Sequence, residues 1–184
     1  MKKAFYSTFA ICAFVFLGML TSCEEKDPCD LVNCAYSGIC DAGRCICQVG
    51  YEGIHCETIA RDKFTDNGIF NVNEDGSLSP QAQFNATIEE GPQVNQILLK
   101  NFRNLGFIVT ATVSHDTLWI APQDHGGYRI EGMGIITGKN PVGRHYYQDA
   151  VINITYKTTD LTSGAIDKYG TTGSGTEPSE WNKN

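Results

Sequence analysis

The chain has 184 residues, with 14 Lys and Arg against 21 Asp and Glu, a net charge of −7 and only 19% charged residues. At roughly 100–200 residues per domain, that length holds one ordinary domain plus something smaller and excludes a large two-lobed enzyme. The acidic balance, without any Lys/Arg-rich run, excludes an electrostatic footprint for nucleic acid, while eight cysteines and 19 glycines point to an oxidising compartment and a turn-rich, strand-rich fold.

Lys2 and Lys3 precede a nearly uncharged apolar run from Phe5 to Leu20. That is the flank and length of a signal-peptide core, and it falls short of the roughly 20 apolar residues that span a bilayer. The run ends in Leu20, Thr21, Ser22 and Cys23 and resembles the lipobox of bacterial lipoproteins. The resemblance implies a signal peptide over 1–22, acylation of Cys23 and a lipidated tether over 23–28. Glu24, Glu25, Lys26 and Asp27 resemble the surface-export signal of one group of Gram-negative bacteria, which implies the outer membrane and its cell-surface leaflet. Removing residues 1–22 takes away two lysines and no acid, leaving 184 − 22 = 162 residues with charge −7 − 2 = −9. Membrane contact would then run through the lipid alone.

Six cysteines follow within a short stretch: Cys29, Cys34, Cys40, Cys45, Cys47 and Cys56, separated by four, five, four, one and eight residues. A segment this short cannot bury enough apolar surface to offset chain entropy, so disulfides worth about 2–4 kcal/mol each must hold it. Six cysteines alone allow fifteen pairings. Their spacing, together with the closing run Gly50, Tyr51, Glu52, Gly53, Ile54, His55, Cys56, resembles an EGF-like module over 29–58. The resemblance implies that Cys29 pairs with Cys40, Cys34 with Cys45, and Cys47 with Cys56. Zinc is disfavoured by the spacing and the exported location. Asp41, Ala42, Gly43 and Arg44, between the third and fourth cysteines, lack the aromatic of calcium-binding modules and put a cation where another would have to bind.

From Ala60 the cysteines stop and Thr, Ile, Val and aromatic residues take over, with Gly, Asn and Asp about every ten residues. This pattern predicts strands over 68–72, 83–89, 96–101, 107–113, 117–121, 128–137 and 150–157. Phe107, Val109, Ala111 and Val113 alternate with Ile108, Thr110, Thr112 and Ser114, so one face is buried and the other wet. The short turn at Ser114, His115 and Asp116 predicts an antiparallel hairpin. The fold class is therefore all-β: a small disulfide-rich EGF-like module, then an antiparallel β-meander over 60–162 closed as a barrel or folded as a sandwich, with the barrel favoured. The meander is loosely similar to lipocalin-like barrels, but their Gly, any, Trp signature on the first strand is missing. Residues 163–184, rich in Gly, Ser and Thr, are expected to form a disordered tail.

Candidate chemistry is sparse. His55, His115, His125 and His145 show no metal-ligand spacing, and no nucleophile elbow or free mature cysteine is present. No catalytic residue, metal or cofactor is expected. Gly132, Met133 and Gly134 lack the strand-turn-helix setting of a phosphate loop and suggest a bulge or close packing instead. Asp116, Thr117 and Leu118 resemble the O-glycan acceptor site of exported proteins in the same bacterial group, which makes Thr117 a candidate glycosylation site. The loops around His115, from Asp124 to Tyr128 with His125, and from Lys139 to Tyr147 with Tyr146, carry polar and aromatic groups suited to a partner. Trp119 is a further aromatic, more often core in a strand. The expected function is a surface-exposed envelope lipoprotein acting as a non-catalytic binding or adhesion module for an envelope protein or glycan. The alternative is a lipocalin-like barrel that holds a small apolar or glycan ligand.

Overall fold

The structure, a computed structural model, describes residues 26–66, 68–138 and 149–184. The signal peptide, Cys23, Glu24, Glu25, Tyr146 and Tyr147 lie outside the described residues.

The cysteine-rich region consists of two small antiparallel hairpins, β1 (Ile39–Asp41) with β2 (Arg44–Ile46) and β3 (Tyr51–Glu52) with β4 (Thr58–Ile59). Three disulfides join Cys29 to Cys40, Cys34 to Cys45 and Cys47 to Cys56, the pairing that the EGF-like resemblance implies. The region has almost no core: Leu31, Ile39, Ile46, Val49 and Ile54 are exposed, and Tyr36 stacks on Tyr51 with ring centroids 4.3 Å apart. Cross-links therefore carry what packing cannot.

A one-turn helix, α1 (Asp62–Thr65), leads into the main sheet of β5 (Ile69–Glu74), β6 (Ala82–Glu90), β7 (Gln96–Phe102), β8 (Phe107–Ser114), β9 (Thr117–His125), β10 (Tyr128–Gly138), β11 (Ala150–Asp160), β12 (Ile166–Tyr169) and β13 (Ser179–Lys183). Strands β5 to β11 run as an antiparallel meander, and β13 then pairs with both β11 and β5. The result is a closed eight-stranded antiparallel barrel, which settles barrel against sandwich. Closure removes the exposed strand edges of an open sheet. The predicted seven strands are all present, and Ser114 to Thr117 form the expected hairpin turn.

The expected disordered tail is a correction. Residues 163–184 supply β12 and β13, and these form the eighth strand in two pieces along one edge of β11, with Tyr156–Thr159 pairing β12 and Val151–Ile154 pairing β13. Polarity misled here because each piece is short and carries little apolar sequence beyond Tyr169 and Trp181, both almost fully buried. The β domain accordingly extends to Lys183 instead of ending at 162.

Alternation fills the lumen. Phe70, Val72, Phe84, Ala86, Leu99, Val109, Ala111, Leu118, Ile120, Ile152 and Ile154 point inward, and Phe102, Tyr156 and Trp181 form an aromatic cluster among them. Gly132, opposite Tyr156, has no room for a side chain, because a Cβ there would lie 2.4 Å from the Tyr156 Cβ. The register between β9 and β10 slips at the same level, so the glycine pair marks close packing beside a bulge, as expected.

Candidate functional site

Antiparallel connectivity divides the loops between two ends of the barrel. One end takes α1, the 91–95 loop and the His115–Asp116 turn; the other takes residues 75–81, 103–106, 126–127 and 161–165.

The first end is plugged by α1. Phe64 is fully buried with Ala60 in the barrel core, while Arg61 donates to Glu90 at 2.6 Å and to the carbonyls of Gly91 and Gln93. Lys63 reaches both Glu52 of the cysteine-rich region and Asp116 of the β8–β9 turn at 2.6 Å. Burial disfavours the Lys63 ammonium, but hydrogen bonds to Asp116 and Glu52 outweigh it and raise its pKa.

The second end is closed by a buried polar network. Asp167 accepts hydrogen bonds from Ser79 at 2.5 Å, the Leu78 N–H at 2.8 Å, Tyr169 at 3.0 Å and Arg103 at 3.2 Å. Arg103 also donates to Thr158 at 2.9 Å and lies over the rings of Tyr128 and Tyr169. Beneath it, Glu74 accepts from Tyr156 at 2.9 Å and Ser179 at 2.8 Å. Burial pushes the Glu74 carboxyl above its usual range despite those hydroxyls. Burial also opposes ionisation of Asp167, yet Ser79, the Leu78 N–H, Tyr169 and Arg103 hold its carboxyl below the ordinary value. Tyr169 is pushed up to about 12, chiefly by burial. Each polar group here faces a partner from another element, so the network ties the 75–81 loop to β12 and seals this end.

Both ends are filled among the described residues, and exposed apolar side chains stand on the outer wall. By register, Thr112, Trp119, Met133 and Thr155 form one outward row across β8 to β11, and Ser114, Thr117, Ile135 and Asn153 form the next. Trp119 is 44% exposed, Met133 41% and Ile135 47%, enough to make this an apolar patch in the middle of a polar wall. A groove of about 310 Å³ is lined by Met133, Gly134, Ile135, Thr137, Asn153 and Thr155, and Trp119 is the cross-strand neighbour of Met133 at its edge.

The histidines and aromatics singled out in the sequence do not converge. His115 is exposed in the β8–β9 turn at the plugged end, its Nδ1 3.1 Å from the Ser114 hydroxyl. His125 and Tyr128 sit at the opposite end, separated from it by the length of β9. His125 contacts Gln123 at 3.0 Å, and Gln123 bridges the N–H and carbonyl of Thr110 where β8 and β9 diverge. Tyr128 packs against the core beneath Arg103. These two residues have structural partners, and the His115 turn and the 124–128 loop do not share a surface; the third loop, 139–147, lies outside the described residues. Thr117 is half-buried on the outer row beside Ile135. Sequence reasoning missed Asn153, Met133 and Ile135 on the wall, together with the Arg103–Asp167 network; for Trp119 the signal was its parity against inward Leu118 and Ile120.

No family model matches this chain, and no curated protein matches it. Among solved structures, a Bacteroides ovatus protein of unknown function, determined by structural genomics at 2.40 Å, aligns at TM-score 0.36 and 10% identity. The alignment covers 64% of this chain and 40% of that one, and at this similarity nothing of that protein transfers.

Proposed function

We propose that this protein is an exported, non-catalytic binding module, held through lipid on Cys23 in the outer membrane at the cell surface, with an EGF-like module over 29–58 beside the membrane and the barrel held outward. The 1–3, 2–4, 5–6 disulfide order and the two small hairpins support the EGF-like reading.

The observation that carries the binding reading is the inverted placement of free apolar surface. The lumen is occupied by Trp181, Tyr156, Phe102 and their aliphatic neighbours, while Trp119, Met133 and Ile135 stand outside beside a groove. An apolar patch of this kind, uncovered among the described residues, supports an interaction surface on the wall. This favours the outer wall over the lipocalin-like alternative, in which a ligand would need the space those rings fill.

Two measurements test the proposal. Palmitate should label the wild type, and Cys23→Ala should leave the membrane fraction; a protein that stays in the membrane without Cys23 sinks the anchor. Envelope material retained by the wild type should be lost from a Trp119→Ala, Met133→Ala double variant that keeps its disulfides and fold. Equal retention by the double variant would remove the outer wall as the binding surface.

A further inference from the structure

The proposed outer-wall site leaves its ligand open, and the chemistry of the groove narrows it. Resting on that reading, we propose that the wall between β9 and β11 binds a neutral glycan, with one sugar ring laid against Trp119 and Met133 and the hydroxyls of the next ring along the strand met by Asn153 and Thr137.

Between β9 and β11 the central strand β10 is paired on both sides, so this part of the wall offers no row of free N–H and C=O groups to which an extended peptide could add as a further strand. Recognition at the wall must come from side chains. The groove also has the dimensions of a small-ligand site: its roughly 310 Å³ falls at the low end of the ~300–1,000 Å³ typical of such sites.

The side chains present are those that suit a sugar. A pyranose offers an apolar face of C–H groups and a rim of hydroxyls. Trp119 supplies a large rigid surface, bordered across the strand by Met133, and Ile135 continues it one row along. The exposed Asn153 amide lines the groove, without a hydrogen-bond partner among the described residues, and offers two donors and an acceptor in one plane. Thr137 donates at 3.3 Å to the Val151 carbonyl and Thr155 at 3.4 Å to that of Met133, which leaves both hydroxyl oxygens able to accept.

Charge sets the class of glycan. No lining residue is charged. Lys157 and Glu131, one row away, are paired with each other, and Glu180, opposite Asn153 on β13, accepts from Asn182 at 2.7 Å. An anionic polysaccharide would meet Glu180 and a mature chain of charge −9 (−7 − 2, with residues 1–22 removed), with no cation among the described lining residues to offset them. A cationic one would meet only Glu180, already bonded to Asn182, since no anion is among the lining groups. A neutral chain meets neither obstacle.

The test uses affinity electrophoresis of the processed protein, extracted from membranes in mild detergent, through gels containing soluble β-glucan, xylan, mannan or galactan, with polygalacturonate as the anionic comparison. A Thr117→Val version runs alongside, so that no sugar attached to Thr117 can occupy the wall. The expected result is retardation by at least one neutral polysaccharide, weakened about tenfold or more by Trp119→Ala and less by Trp119→Phe. Asn153→Ala should weaken it as well, and circular dichroism with intact disulfides should show each variant folded. The same polysaccharide should change the emission of Trp119 in a Trp181→Phe background. Retardation by polygalacturonate alone overturns the neutral-glycan assignment. So does retention of a protein partner that depends on Trp119 when no polysaccharide binds, although the outer-wall reading survives that result. Retardation unchanged in both Trp119→Ala and Asn153→Ala overturns the two together.

Discussion

The two ends of the barrel are closed by opposite kinds of chemistry. At one, a single turn of helix drives Phe64 into the lumen, and ion pairs from Arg61 and Lys63 hold the helix to the 91–95 loop and the β8–β9 turn. At the other, no apolar plug is used; Asp167 gathers donors from three segments under the Arg103 guanidinium. An apolar plug tolerates small shifts, because dispersion and burial have no direction. A buried carboxylate does not, because each missing donor leaves charge unsolvated. Among the described residues both ends are thus filled, one by apolar packing and the other by hydrogen bonds.

The largest effect is expected at the plug. Phe64→Ala should cost about 4 kcal/mol in chemical denaturation, the usual range for removing a buried aromatic ring. A loss below about 1 kcal/mol would mean that the helix merely rests on the barrel end. Next comes the polar seal: Asp167→Ala should cost about 3 kcal/mol, because Arg103 and four other donors, Ser77, the Leu78 N–H, Ser79 and Tyr169, lose their acceptor. Joint replacement by Asp167→Leu and Arg103→Met should cost less than Asp167→Ala, since no buried charge is then stranded. A double variant as unstable as the sum of its parts would show that the network is not one unit.

The smallest effect is a dependence on pH. Burial first of all holds the Glu74 carboxyl above its ordinary value of 4.5, against the hydroxyls of Ser179 and Tyr156 and the charge of Arg103. The folded state therefore keeps this proton longer than the unfolded chain does. The Glu74 contribution to stability is full below 4.5 and declines as pH rises through the folded value. Asp167 acts in the opposite sense, its contribution being present above 3.8 and lost as pH falls through its lowered folded value. Glu74→Gln should gain on the wild type as pH rises from about 4.5 and then hold a constant margin. Parallel unfolding curves over that range would show that Glu74 ionises in the fold as it does in the open chain.

What the sequence determined by itself was local. The run Phe107 to Val113 alternates strictly, so its inward face could be named in advance. That the cysteine-rich stretch needs cross-links was legible from its length, whereas which cysteines pair came from the EGF-like resemblance, and the observed bonds follow it. Trp119 was half legible: Leu118 and Ile120 fix the inward parity of β9, and Trp119 falls between them. On β10 the same reasoning stalls, because Gly132 and Gly134 point inward while Met133 and Ile135 point out. Only the pairing with Tyr156 on β11 makes glycine the residue that fits inside.

Tertiary structure alone decided the rest. The polar tail became a strand because Trp181 and Tyr169 complete a lumen built by residues far away in sequence, and closing the ring satisfies its backbone. Arg103 and Asp167 lie 64 positions apart, and nothing in either neighbourhood announces the other. His115 and His125, ten positions apart in sequence, were separated by a straight strand that carries them to opposite ends. Burial and alternation act over neighbouring residues and can be read along the chain; closure, end-sealing and the convergence of loops depend on which distant strands meet.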